Sequence, residues 1–387
     1  MDAKNIIARY KKLGARIETK GRVKLAKKSD FSLWYTPGVG VAASHLAKHP
    51  KDARLMSVKS NSVAIVSDGS AVLGLGNIGP YGALPVMEGK ALIFKEMAGI
   101  DAWPIVLDLA PLKLRQASTQ EKIDFIVDTV CAIAPSFGGI NIEDIAAPSC
   151  FDIERRLIEA LDIPVMHDDQ HGTAIVVLAG LTNAAKVVKK SFGKLKVVIS
   201  GAGAAGTAVA KLLVAAGIKD VVVLDRQGII YRGRAKLSDE KAALAMVTNP
   251  RIVKGSLRDA LAGADALVGV SGPGLASAAD IKLMAPRAIV FALANPIPEI
   301  LPEEAKKGGA TVIATGRSDF PNQINNALVF PGLFRGALDK GVRRITDRTK
   351  LAAAKALAAL VARPTAAKII PDLLDPRVVK AIAKSVR

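Results

Sequence analysis

Aromatic residues and cysteine are scarce in this sequence. Of its 387 residues, 4% are aromatic, and Cys131 and Cys150 are the only cysteines. Two cysteines cannot form the disulfide framework of a small secreted protein, so we expect both thiols to be reduced. Apolar runs are short and interrupted, which argues against a membrane span. The first residues, MDAKNIIARYKK, have no signal-peptide core. We therefore expect a cytoplasmic protein.

Acidic residues are few at both ends of the chain. Residues 1–60 hold 14 Lys and Arg against 4 Asp and Glu, and residues 331–387 hold 13 against 4. The residues between them are balanced, so the net charge of +19 comes from the two ends. The basic residues follow helical patterns with few aromatics among them, which favours a solvated surface over a nucleic-acid site. Such a surface can also attract acidic metabolites.

Apolar segments alternate with helical patterns and predict an α/β fold. We expect an N-terminal α/β domain over residues 1–160. A Rossmann-like, doubly wound domain with C-terminal helices should follow over residues 161–387. Strands are predicted at 62–67, 103–107, 140–142, 164–166, 196–200, 221–225, 266–271, 288–293 and 311–315. Helices are predicted at 85–99, 154–161, 173–190, 207–216 and 256–262.

A glycine-rich loop follows the predicted strand KVVIS and opens a predicted helix. It reads G-x-G-x-x-G, a spacing that allows a tight turn and close approach of a pyrophosphate. Asp225 ends the next strand, where an acid accepts hydrogen bonds from a ribose and favours NAD⁺. Arg226 follows directly and leaves NADP⁺ open. The expected cofactor-binding residues are Gly201, Gly203, Ala204, Ala205, Gly206, Asp225, Arg226 and Asn295.

Two pairs of adjacent acids follow short apolar strands. Glu143 and Asp144 lie in NIEDIAAP, and Asp168 and Asp169 lie in MHDDQHGTA. Adjacent carboxylates are unfavourable unless a cation neutralises them. We expect Glu143, Asp144 and Asp169 to bind Mg²⁺ or Mn²⁺, with Asp168 beside them.

Histidines flank the second acidic pair. His167 and His171 are four residues apart, which also permits zinc. Pro164 and the two acids nevertheless indicate a strand end at this point, so structural histidines are the favoured interpretation.

Further candidates carry proton-transfer or amide groups. Lys90, in VMEGKALIFK, becomes a base if a nearby metal lowers its pKa. Tyr35, in LWYTPGVG, becomes an acid if a cation lowers its pKa. Asn295 ends the strand VFALAN, and Asn325 and Asn326 lie in DFPNQINNALVFPG. Amides at the carboxyl ends of strands face the ligand crevice of a doubly wound sheet.

Taken together these segments resemble the malic enzyme family in its short prokaryotic form. The matching pieces run in the family's order over roughly residues 30–335: WYTPGVG, VSDGSAVLGLGNIGPYGALPVMEGKALIFKEMAGIDAWPI, NIEDIAAP, MHDDQHGTA, ISGAGAAG, FALANP and GRSDFPNQINNALVFPG. The resemblance implies metal-dependent oxidative decarboxylation of L-malate to pyruvate and CO₂, with reduction of NAD⁺ or NADP⁺. It also implies that the N-terminal domain binds substrate and metal, that the second domain binds the dinucleotide, and that the protein is a homodimer.

The resemblance assigns roles to the candidate residues. Lys90 would be the general base, Tyr35 the general acid, and Asp168 would tune Lys90. The metal would be held by Glu143, Asp144 and Asp169. Malate and the nicotinamide side would be contacted by Asn295 and Asn326, with Asn325 as a further substrate residue. Tyr35 and Lys90 are expected to meet across subunits.

One departure from the family pattern and several alternatives stay open. Longer members place a carboxylate-binding arginine where this chain has Ser70 and Ala71. An amino-acid dehydrogenase would also pair a lysine with a dinucleotide domain, but it would not need the acidic cluster. A nicotinamide-sensing or nucleic-acid-binding protein without turnover, and a zinc hydrolase, are more distant alternatives.

Overall fold

Helices and strands alternate along this chain, as the sequence predicts. The computed structural model describes residues 3–72 and 74–387. Its strands are β1 (Ser62–Ser67), β2 (Asp101–Val106), β3 (Gly139–Ile142), β4 (Val165–His167), β5 (Lys196–Ser200), β6 (Asp220–Asp225), β7 (Gly228–Ile229), β8 (Ala266–Gly269), β9 (Ala288–Ala292) and β10 (Ala310–Thr315). Its helices are α1 (Ala3–Leu13), α2 (Lys28–Trp34), α3 (Gly38–Lys48), α4 (Ala53–Met56), α5 (Gly79–Ala98), α6 (Ala110–Leu114), α7 (Thr119–Ile133), α8 (Ser149–Ala160), α9 (Asp168–Val187), α10 (Ala204–Ala215), α11 (Asp239–Val247), α12 (Leu257–Leu261), α13 (Ala278–Ile281), α14 (Pro302–Lys307), α15 (Phe330–Lys340), α16 (Asp347–Ala359) and α17 (Arg377–Ser385).

The first sheet is parallel throughout and has the order β2-β1-β3-β4. Ile142 of β3 lies beside both Val66 of β1 and His167 of β4. Because parallel strands end at the same edge of a sheet, the residues that follow β1, β3 and β4 meet there. This register brings the two acidic pairs together. The predicted division at residue 160 stays a prediction, and β4, which comes after it, pairs with the first sheet.

The second sheet has the order β10-β9-β8-β5-β6-β7. Its strands are parallel except for the short β7, which pairs antiparallel with β6 and was not predicted. The strand order reverses between β5 and β8, as in a doubly wound dinucleotide fold, where the ligand crevice lies at the reversal. The predicted fold class is confirmed, and the predicted strand ends lie within two residues of those observed.

Several helices begin earlier than predicted. Helix α9 was expected from Thr173 but starts at Asp168, and α5 was expected from Pro85 but starts at Gly79. Glycine, proline and acids suggest a loop in the sequence, yet proline and carboxylates are favourable in the first turn of a helix. The correction for α9 places Asp168 and Asp169 in its first turn, where the helix dipole stabilises negative charge.

Helix α9 joins the two sheets. Most of its residues are buried, and it packs against α10 and α16. A second connection is aromatic: Phe94 of α5 lies 4.7 Å from Phe330 and 5.5 Å from Phe334 of α15, between ring centroids. The core therefore continues from one sheet to the other.

Helices α1 to α4 lie on the surface and contain no fully buried residue. Large apolar side chains are exposed there, among them Leu33, Trp34, Val41 and Leu55. No helix in the part of the chain described here is long and apolar enough to span a membrane.

Candidate active site

A cleft of about 880 Å³ opens between the carboxyl edges of the two sheets. This volume lies in the range that small-ligand sites occupy. Most of the predicted site residues line the cleft: Lys90, Glu143, Asp144, Asp169, Gly203, Ala204, Ala205, Arg226, Asn295, Asn325 and Asn326. One cleft thus contains the acidic pairs, the lysine, the glycine-rich loop and the asparagines.

Three carboxylates form a cluster on one wall of the cleft. Glu143, Asp144 and Asp169 each offer an oxygen, and these atoms lie within 4.8 Å of one another. Asp144 has a φ of 51°, an unfavourable backbone angle that two hydrogen bonds hold in place. Its N–H donates to Asp169 Oδ2 at 2.8 Å, and its carbonyl accepts from Ala71 N–H at 2.9 Å. The loop after β3 is therefore tied to the first turn of α9.

The electrostatics of this cluster suit a divalent cation. Burial and the nearby Asp169 carboxylate raise the pKa of Glu143 well above its usual value, although Lys90 opposes the shift. The anionic form of such a cluster is favoured when a cation neutralises it. All the ligands are hard oxygens, which Mg²⁺ and Mn²⁺ prefer. The residues present therefore fit the predicted metal.

Lys90 forms two short ion pairs behind the cluster. Its Nζ lies 2.5 Å from Asp168 Oδ2 and 2.6 Å from Glu143 Oε1, and 4.3 Å from the centre of the Phe330 ring. Burial alone would lower the pKa of Lys90. The carboxylates of Asp168 and Glu143 raise the pKa by more than burial lowers it, so the net shift is upward. This differs from the expected lowering, because the carboxylates stabilise the ammonium form when no metal offsets their charge.

A buried glutamate that was not predicted supports the second acidic pair. Glu154 Oε1 accepts the His167 backbone N–H at 2.7 Å, and its Oε2 lies 3.0 Å from both Gln170 Nε2 and His171 Nε2. His167 Nε2 in turn lies 3.0 Å from Asp169 Oδ2. The sequence signal for this buried glutamate is the position of Glu154 on the apolar face of α8. His167 and His171 each lie beside a carboxylate. Among the described residues, the group with the geometry to hold a metal is the carboxylate cluster and does not include a histidine.

The glycine-rich loop has the geometry of a dinucleotide site. Gly201 has a φ of 118°, and a Cβ on Gly206 would lie 1.8 Å from the Gly201 carbonyl oxygen. A Cβ on Gly203 would meet nothing within 4 Å, because this glycine faces the open cleft. The turn, the close helix packing and the exposed backbone are the features a pyrophosphate requires at the start of α10.

The residues after β6 are arranged differently from the expectation for an NAD⁺ site. Arg226 lines the cleft, whereas Asp225 is absent from its lining. The Asp225 carboxylate contacts Arg234 Nη2 at 2.5 Å and Lys241 Nζ at 2.7 Å. Burial opposes its charge, but these hydrogen bonds lower the pKa of Asp225 to about 2. Neither cation was predicted, since both come from later segments.

The three asparagines line the cleft from the segments that follow β9 and β10. Asn325 also uses its side-chain oxygen to accept the Ala327 N–H at 2.8 Å. Asn295 and Asn326 are the remaining candidates for direct ligand contact.

Tyr35 does not line the cleft of its own chain. It follows α2, and 65% of its surface is exposed. Ser70 lies in the stretch where the resemblance implies an arginine in longer members. Its hydroxyl donates to Asp68 Oδ1 at 2.6 Å and accepts the Ala146 N–H at 2.9 Å. Of the described residues, Lys90 and Arg226 are the basic side chains that line the cleft.

Comparisons with known proteins cover nearly the whole chain. Family models match residues 14–158 as "Malic enzyme, N-terminal domain" and residues 170–386 as "Malic enzyme, NAD binding domain". An NAD-dependent malic enzyme of Geobacillus stearothermophilus is 52% identical over 97% of this chain and 76% of its own length. An NADP-dependent malic enzyme of Halomonas elongata is 48% identical over 87% of this chain and 76% of its own. The crystal structure of an NAD-dependent malic enzyme from Thermotoga maritima superposes with a TM-score of 0.92 at 44% identity, covering 100% of this chain and 99% of that one.

Proposed function

This chain belongs to the malic enzyme family, whose members carry out NAD(P)-dependent oxidative decarboxylation of malate, and we propose that it does so with a divalent metal, Lys90 and Tyr35. One observation carries the proposal. A buried lysine lies against a cluster of three carboxylates in the same cleft as a dinucleotide loop. Dehydrogenation of a hydroxy acid needs a base, a charge-stabilising group and a hydride acceptor, and this cleft brings residues for all three together.

Glu143, Asp144 and Asp169 would hold Mg²⁺ or Mn²⁺. When bound, the metal would act as a Lewis acid that holds the negative charge developing on the substrate oxygens. Neutralising these carboxylates would remove part of the field that raises the pKa of Lys90. Lys90 would then be able to exist as the free amine.

Lys90 would remove the proton of the malate C2 hydroxyl while the C2 hydride passes to the nicotinamide, which serves as the acceptor. The Asp168 carboxylate, fully buried at 2.5 Å from Lys90 Nζ, would fix the position of the amine. Asn295 and Asn326, which line the same cleft, would orient malate and the nicotinamide. After CO₂ leaves, Tyr35 would protonate C3 to give pyruvate.

Tyr35 would reach the site from a second copy of the chain. Its side chain is exposed, and the helices on both sides of it present unpartnered apolar surface. Burial of this surface between two chains would be favourable and would form the expected homodimer. The test mixes the inactive variants Tyr35→Phe and Lys90→Ala. Restored activity is expected, because a mixed dimer contains one complete site, whereas no recovery would place both groups within one chain.

The first test of the reaction follows absorbance of the reduced nicotinamide with L-malate, Mn²⁺ and each cofactor, and assays pyruvate afterwards. Reduced cofactor with an equal amount of pyruvate is expected, and a chelator should abolish both. Oxaloacetate without pyruvate would contradict the role of Tyr35. Activity that survives thorough chelation would contradict the metal site.

We also infer a cytoplasmic location, which the two free thiols support. Cell fractionation with activity recovered in the cytoplasmic fraction is the expected result.

A further inference from the structure

The cofactor specificity of this enzyme depends on the segment that follows β6. In dinucleotide-binding folds, an acid at the end of this strand accepts hydrogen bonds from the ribose hydroxyls and repels a 2′-phosphate. Asp225 has the right position in the sequence for this role. Whether Asp225 can bind the ribose and repel a 2′-phosphate depends on what its carboxylate contacts.

Both oxygens of the Asp225 carboxylate are already engaged. Oδ1 accepts the Gln227 backbone N–H at 2.9 Å, and Oδ2 is 2.5 Å from Arg234 and 2.7 Å from Lys241. The side chain is only 8% exposed and does not line the cleft. Two cations therefore neutralise the one acid that would repel a phosphate, and its oxygens are turned to protein partners.

Arg226, unlike Asp225, is free to meet a ligand in the cleft. It is exposed, it lines the cleft together with Ala204 and Ala205 of the dinucleotide loop, and the described structure gives it no ion pair. An arginine near this point accommodates a 2′-phosphate in dinucleotide folds, because its planar guanidinium forms charge-assisted hydrogen bonds with phosphate oxygens. At the end of β6, two cationic side chains therefore contact the Asp225 carboxylate, and a third, Arg226, lines the cleft.

We propose that this enzyme prefers NADP⁺ to NAD⁺, with Arg226 binding the 2′-phosphate and with Arg234 and Lys241 cancelling the repulsion from Asp225. The proposal rests on the proposed function, because it concerns the cofactor of the same reaction. It differs from the interpretation of the sequence alone, in which Asp225 favours NAD⁺. Charge-assisted hydrogen bonds to one phosphate support a preference of roughly tenfold to a hundredfold.

Binding of two small probes tests this preference without malate or metal. Isothermal titration calorimetry with adenosine 2′,5′-bisphosphate and with adenosine 5′-monophosphate measures the effect of the 2′-phosphate alone. We expect the bisphosphate to bind at least tenfold more tightly, and its advantage to shrink as salt screens the charges. Steady-state kinetics with malate should give a higher kcat/KM for NADP⁺ by a similar factor.

Variants identify the residues responsible. Arg226→Ser should remove at least tenfold of the bisphosphate advantage. Lys241→Gln should reduce this advantage by less, because Arg234 still pairs with Asp225 and only part of the compensating charge is lost. Arg251→Ser is the matched control: Arg251 pairs with Asp220 at 2.7 Å, at the other end of β6, and its loss should leave the ratio unchanged.

The outcomes separate this proposal from the proposed function. Equal or tighter binding of the monophosphate, or a higher kcat/KM with NAD⁺, would overturn the preference for NADP⁺ while malate oxidation stands. Selective bisphosphate binding without malate oxidation would uphold the cofactor site and overturn the reaction. An equal loss in Arg226→Ser and Arg251→Ser would show a general charge effect and overturn the role of Arg226.

Discussion

Replacement of Lys90 by methionine separates its chemical role from its electrostatic one. Lys90 is 6% exposed and is the cation that pairs with both Asp168 and Glu143. Removing one partner of a buried ion pair costs about 3–5 kcal/mol, because the remaining charges are left uncompensated. We therefore expect Lys90→Met to lower the free energy of unfolding of the metal-free protein by that amount.

Lys90→Met should lower stability but raise the affinity for the metal. A lysine ammonium beside the carboxylate cluster repels an incoming cation, and unit charges about 4 Å apart interact by about 4 kcal/mol at an effective dielectric constant near 20. Loss of this repulsion should tighten Mn²⁺ binding at least tenfold. Malate oxidation should nevertheless fall by about 10²- to 10⁴-fold, as expected when a general base is removed.

The assay combines Mn²⁺ titration, thermal unfolding with and without Mn²⁺, and steady-state kinetics at saturating metal. Lys95→Met is the matched control, because Lys95 lies on the same helix, is 56% exposed and pairs with the exposed Asp101. This control should change none of the three measurements appreciably. Weaker Mn²⁺ binding in Lys90→Met would refute the argument from charge repulsion. A rate above a tenth of the wild-type rate would refute the assignment of Lys90 as the base.

Three further predictions concern the parts that support the site. Burial opposes the charge of Glu154, but His171 lowers the pKa of Glu154 from 4.5 to about 2. The contribution of this carboxylate to the free energy of unfolding is therefore complete above pH 4.5 and is lost as the pH falls towards 2. In acid titrations the wild type should lose about 3 kcal/mol more of its free energy of unfolding than Glu154→Gln over this range, and an equal loss in both proteins would contradict this. Gly206→Ala should weaken dinucleotide binding more than tenfold and lower the free energy of unfolding by about 1–3 kcal/mol, because the new Cβ would lie 1.8 Å from the Gly201 carbonyl oxygen. Calorimetry measures both effects, and wild-type affinity would show that the loop moves to accommodate the methyl group. Phe334→Ala should lower the free energy of unfolding by about 3–5 kcal/mol, because the ring is fully buried; denaturant titration measures it, and a cost under 1 kcal/mol would mean that the core collapses around the gap.

The sequence predicts the fold well because its strands are short apolar runs with clear ends. Lys196–Ser200 and the G-x-G-x-x-G loop after it occupy the positions that their periodicity and spacing indicate. The cluster of Glu143, Asp144 and Asp169 also forms as expected. Its prediction rested on two pairs of adjacent acids that each follow a short apolar strand.

Other features depend on contacts between distant parts of the chain. Glu154 contacts residues 13 to 17 positions later, and Asp225 receives its cations from 9 and 16 positions later. No local pattern fixes such pairings. The missed helix α7 is different: Ser118 and Glu121 form a capping box ahead of apolar residues at helical spacing, so its signal was present in the sequence.

Helix α9 mechanically connects the acidic cluster with the dinucleotide loop. One end of this helix supplies Asp169 to the acidic cluster, and its body packs on α10, whose first turn belongs to the dinucleotide loop. A ligand at either site would restrain the same helix of 20 residues. The second ligand then meets a helix whose motion is already restricted and loses less entropy on binding. By thermodynamic reciprocity, each ligand should raise the affinity for the other by the same factor.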